Sequence, residues 1–153
     1  MEHKELLIKD ICPRLPYGLV IDFNGIRTTL HDMKVFQLYD GDVIKDYICL
    51  VDVFGDDDYI DVEENIKPYL FPLSSMTEEQ TKEMQEIVGS PKVACIMRKT
   101  EGLELWLDSV NTDPTIWLDT IFELQDWLNK HHFDWRGLIP KGLANDATGL
   151  NIY

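Results

Sequence analysis

The sequence predicts an α+β fold, with an antiparallel β-sheet built from hairpins and about three helices packed on one face. Three observations lead there. Asn24-Gly25 sits between two β-rich runs, and this dipeptide readily takes the positive φ angles of a type I′ hairpin turn. Leu103, Leu105 and Leu107 alternate with Glu104 and Trp106, which is strand periodicity. Trp117, Ile121, Leu124 and Leu128 recur at helical spacing and form a core stripe. Alternating strands and amphipathic helices suit a sheet with one covered face.

Residues 2–11 read as a short helix, with Leu7 and Ile11 one turn apart and Lys4, Lys9 and Asp10 facing out. Pro13 stops it and Pro16 keeps the connection extended. The Asn24-Gly25 hairpin follows within 19–30. A second hairpin runs from 35–39 through Asp40-Gly41-Asp42 into a strand over 43–54. Residues 55–58 form a turn and 59–62 a short edge strand. Residues 66–73 carry Pro68 and Pro72, which predicts an extended crossing segment rather than a central strand. Helix two starts at a capping box, either Ser75 with Glu78 or Thr77 with Gln80. Met84, Ile87 and Val88 form its apolar face, and Gly89 with Pro91 ends it. A third hairpin spans 92–98 and 103–110. Asn111 or Asp113 caps helix three, with Pro114 in its first turn. Ser74-Ser75, tempting as a nucleophile, reads as helix N-cap sequence.

At 153 residues, 44% hydrophobic and 27% charged, the chain reads as one globular domain over 1–153 with an irregular tail from about 145. The formal net charge is −14, which argues against direct nucleic-acid binding and against attraction to anionic lipid. No apolar run approaches the roughly 20 residues of a membrane span. The first ten residues are charged and lack a signal-peptide core, so a cytoplasmic location is expected. Cys12, Cys49 and Cys95 are odd in number and lack CxxC spacing, so they read as buried, reduced thiols.

The carboxylates are segregated. Between Lys45 and Lys67 stand eight acids and no base, among them Asp52, Asp56, Asp57, Asp58, Asp61, Glu63 and Glu64. From Glu101 to Asn129 come seven more, again with no base. Gathered in space, such stretches make a strong negative field that suits a basic partner; the alternative is a solubilising face. Asp56 to Asp58 with Asp61 and Glu63 offer hard oxygen ligands but lack the order of a calcium loop, so no metal and no cofactor are expected. Adjacent His131 and His132 diverge too far on a helix to chelate one metal and suit capping of the last carbonyls. Glycine-rich phosphate loops and catalytic motifs are absent, so the chain reads as a non-enzyme. A second possibility is a nucleotide-binding site made by Arg14, Tyr17, Trp135, Arg136 and Lys141, with a base stacked on the indole. Against it, Trp135 would pack in the core and Arg136 would pair with a carboxylate.

Three segments, Cys12–Gly18, Ile66–Gln80 and Asp126–Ala144, resemble a family of small proteins of unassigned function encoded by Bacteroidetes genomes, prophages and phages. The resemblance implies a phage or mobile-element setting in the cytoplasm of a bacterial host, and it transfers no functional residue. It suggests that these segments form a framework while the acidic 40–65 and 101–126 regions form the working surface. The resulting expectation is a non-catalytic interaction protein. Its acidic face would occlude a basic site on a host protein, such as a defence or nucleic-acid-handling factor, in a salt-sensitive way. The alternative is a protein that sequesters a nucleotide signal. The sequence assigns no oligomeric state.

Overall fold

The computed structural model describes residues 2–41, 43–52, 59–61, 66–88, 94–99, 102–107 and 114–153, with side chains at 3–34, 41, 66–88 and 118–153. Helix α1 (Glu2–Ile11) runs into a 3-10 helix (Cys12–Tyr17). Strands β1 (Val20–Phe23), β2 (Ile26–Thr29), β3 (Asp32–Asp40), β4 (Val43–Asp52), β5 (Tyr59–Asp61) and β6 (Ile66–Leu70) follow. A 3-10 turn (Leu73–Ser75) precedes α2 (Glu78–Val88). Then come β7 (Ala94–Lys99), β8 (Gly102–Leu107), α3 (Pro114–Lys130) and β9 (Asn145–Asp146).

The class is α+β, and the hairpins fall where turn chemistry put them. Phe23 lies opposite Ile26, with Asn24 at φ 52° and Gly25 at φ 83°, the two positive angles of a type I′ turn. Asp22 secures the turn by accepting the Gly25 N–H at 2.8 Å. In the second hairpin Asp40 opposes Val43, with a register shift between Leu38 and Tyr39, and β5 lies on its edge. In the third, Lys99 opposes Gly102. The expected turn at 55–58, the helix stop at Gly89 and Pro91, and the cap at Asn111 or Asp113 lie outside the described residues.

Among the described residues the strands form three sheets rather than one: β2-β1-β6-β9, β3-β4-β5 and β7-β8. The largest is mixed, because β9 joins β6 in parallel. The 66–73 segment also departs from expectation, since β6 is a central strand between β1 and β9. Pro68 fits there for a local reason. It occupies the last pair of the β1 ladder, opposite Ile21, and the β9 ladder begins only at Tyr69. At that changeover the missing N–H breaks no run of hydrogen bonds.

Three further expectations change. Asp10 is buried rather than outward, where it accepts hydrogen bonds from the equally buried Arg14. The Pro13–Pro16 connection is a 3-10 helix rather than extended chain. Cys12, at the start of that helix, is exposed rather than buried, while Ile11 and Arg14 take the inward positions.

Two apolar clusters hold the fold. One joins Leu7 and Ile11 of α1 to Ile21, Ile66, Leu70 and Leu138. The other joins Met84 and Val88 of α2 to Leu124 and Leu128 of α3, around Leu73 and Phe133. The chain after α3 is laid along β6. Phe71 N–H donates to His132 O at 2.9 Å, Asp134 N–H to Phe71 O at 2.8 Å, and Ala147 N–H to Leu70 O at 2.8 Å. Beyond Asp146 the tail is irregular but anchored, as Ala147 is fully buried and the Tyr153 hydroxyl reaches the main sheet.

Candidate functional site

An exposed, charged surface of the described chain lies on α2 and α3. The start of α2 is set by a reciprocal capping box. Gln80 N–H donates to Thr77 Oγ1 at 3.1 Å, and Thr77 N–H to Gln80 Oε1 at 2.9 Å. Thr77, not Ser74 or Ser75, is therefore the N-cap, and Ser75 Oγ closes the preceding turn onto Pro72 O. That register turns Met84 and Val88 inward and leaves Glu78, Glu79, Glu83 and Glu86 exposed. In α3, Leu124 and Leu128 face α2, while Asp119, Glu123 and Asp126 are exposed. Trp127 Nε1 donates to Glu83 Oε2 at 3.3 Å and ties the two helices together. The pair thus presents seven exposed carboxylates against two exposed lysines, Lys82 and Lys130.

Two large apolar side chains break this charged surface. Phe122 is 62% exposed and Leu118 is 46% exposed. They stand one turn apart, about 100° around the helix from Trp117 and Ile121. The sequence patterns give neither side chain a functional role, and they give the α2 carboxylates none beyond the start of the helix. The available signal was a second i, i+4 apolar pair displaced from the core stripe.

The residues considered for a nucleotide site gather near one another but are engaged within the chain. Arg14 and Asp10 are both 0% exposed. Arg14 Nε donates to Asp10 Oδ2 at 2.9 Å, and Nη2 donates to Asp10 Oδ1 at 3.0 Å and to Phe133 O at 2.8 Å. Burial is the largest influence on Asp10 and pushes its carboxyl above the ordinary range, while Arg14 pulls it back. Arg136 sits over the Trp135 ring at 4.0 Å, with Nε 3.7 Å from Asp10 Oδ1. Trp135 Nε1 donates to Asn129 Oδ1 at 3.0 Å. Lys141 Nζ donates to the carbonyls of Arg136 and Gly137. Tyr17 donates its hydroxyl to Asp126. Asp134 accepts the Leu138 and Ile139 amides and closes the loop after α3. One face of the indole is therefore already covered by the protein's own guanidinium.

His132 ends α3 in a different manner from the expected side-chain cap. It takes the left-handed conformation, φ 55°, usually held by glycine. Its N–H donates to Asn129 O and Phe133 N–H donates to Leu128 O, so the main chain satisfies the last carbonyls. The imidazole stacks on Tyr153 at 3.7 Å instead. Burial first, and then Arg14, pushes His132 down to about 4. The His131 ring lies tilted against Trp127, with centroids 4.4 Å apart.

Of the acidic residues expected at the partner surface, Asp52 and Asp61 lie on β4 and β5, where the backbone alone is described, and Asp56, Asp57, Asp58, Glu63 and Glu64 lie outside the described residues. Among the described residues no three histidines, cysteines or acids come together as a metal-holding group, and no helix is long and apolar enough to cross a membrane. The chain matches no family model, no curated protein and no solved structure.

Proposed function

We propose that this protein is a non-catalytic interaction protein that uses an anionic face to cover a basic site on a protein of its bacterial host, in a phage or prophage setting. The observation that carries the reading is the paired outer face of α2 and α3, with seven exposed carboxylates and two lysines. A net charge of −14 adds a long-range field of the same sign. Such a face steers a cationic partner during encounter and then masks its lysines and arginines. Occlusion of this kind requires no catalytic group.

The test is capture from bacterial lysate on immobilised protein, at about 50 mM and about 500 mM salt, where screening lengths differ roughly threefold. A basic partner held at low salt and released at high salt supports the reading. The variant E79Q/E86Q/D119N/E123Q lowers capture while leaving the melting temperature unchanged. Absence of any salt-sensitive partner, or capture indifferent to the four substitutions, overturns it.

A further inference from the structure

We propose that the partner element seated on α3 is a cationic amphipathic helix, with Phe122 and Leu118 as its apolar anchors. This rests on the anionic-face reading and names the kind of partner that face takes. Among the described side chains of the helix pair, Phe122 and Leu118 are the large apolar groups that stand exposed, and they lie in an i, i+4 row. Asp119 and Glu123 form a second i, i+4 row beside them, and Asp126 continues the first row toward the C-terminus. The surface is thus a ridge with an apolar track and an anionic track in parallel, each repeating once per helical turn. A second helix meets a convex helical ridge by seating its own side-chain rows alongside. The partner that matches both tracks has apolar residues at i and i+4, flanked by Lys or Arg with the same repeat.

Charge decides among the occupants. A second copy of this chain would set carboxylates against carboxylates at a net charge of −14 each. An anionic lipid surface is repelled in the same way. A purely polar cationic segment satisfies Asp119 and Glu123 but leaves a phenyl ring that is 62% exposed without cover. Aromatic side chains in that setting are the groups that typically dominate binding once a rim of polar contacts excludes water.

The experiment uses two synthetic 18-residue peptides of identical Lys/Leu composition, titrated by fluorescence anisotropy against the whole chain. One has its leucines on a single helical face, and the other has the same residues in scrambled order. The expected result is at least about tenfold tighter binding of the amphipathic peptide, with Phe122→Ala and Leu118→Ala each removing most of that preference. Ile26→Ala, at a residue 59% exposed on the β1–β2 hairpin, leaves it unchanged. Asp119→Asn with Glu123→Gln weakens both peptides. Equal binding of the two peptides, or a preference that survives Phe122→Ala, overturns the anchor proposal and leaves the anionic-face reading standing. Failure of both peptides to bind at low salt counts against the anionic face itself.

Discussion

Arg14 is a charged residue with no exposed surface, and its partners explain how that is tolerated. Two hydrogen bonds to Asp10 and one to the Phe133 carbonyl, made by Nε and Nη2, replace part of the water it loses, while Nη1 is buried without a hydrogen-bond partner. A pair of this kind contributes little net stability, yet removing one member strands the other. Arg14→Leu should therefore cost about 3–5 kcal/mol in urea unfolding, and the double variant Asp10→Leu/Arg14→Leu less than the two single losses together. His132 makes a pH-dependent contribution. The unfolded ring takes up a proton near 6.5, whereas the folded ring resists protonation down to about 4. Between those values the unfolded state holds more protons, so stability rises with pH. The stability lost on acidification from about 6.5 to about 4 should be about 3 kcal/mol, measured as urea midpoints across that window. Asp10 acts in the opposite direction, since its raised carboxyl lets the folded state accept a proton sooner. His132→Asn tolerates the left-handed backbone and does not titrate, so it should remove the histidine's share of the slope.

At the scale of elements, local chemistry and burial divide the work. The start of α2 rests on the reciprocal bonds between Thr77 and Gln80. Thr77→Ala should cost about 1 kcal/mol in urea unfolding while leaving the α2–α3 contacts in place. The end of α3 is held differently. His132 adopts an angle that favours glycine, and the main-chain bonds of His132 and Phe133 close the turn. Phe133 then buries against Leu128, the apolar contact that accompanies this type of helix end. A histidine stands where glycine is usual because its ring, stacked on Tyr153, offsets the backbone strain.

At the scale of the whole molecule, β6 is the hub. It pairs with β1 on one side and β9 on the other, and its continuation at Phe71 bridges to Phe133. The segments 12–18, 66–80 and 126–144 meet around it, through Arg14 to the Phe133 carbonyl and Tyr17 to Asp126. Tyr153 completes the closure. Continuing the β1–β6 register past Ile21 and Pro68 sets Val20 opposite Tyr69. There the Tyr153 hydroxyl accepts the Val20 N–H at 3.1 Å and donates to Tyr69 O at 2.8 Å, taking the place of a ladder bond. Burial pushes this phenol up to about 12. Tyr153→Phe should cost about 1–2 kcal/mol and, more specifically, speed hydrogen exchange at the Val20 amide.

The sequence by itself determined the features whose causes lie within a few residues. The Asn24-Gly25 turn, the Thr77–Gln80 box as one of two candidates, the span of α1 and the Leu124–Leu128 face of α3 are all of this kind, because backbone preference and side-chain period act locally. Tertiary structure alone decided which strands share a sheet, why Pro68 fits between two neighbours, and that Asp10 faces inward to Arg14. It also decided that α2 packs against α3, with the carboxylates of both helices and Phe122 left exposed. Those outcomes depend on partners far off in the chain, such as Phe133, which lies 119 residues from Arg14, and a local pattern carries no record of what packs against it.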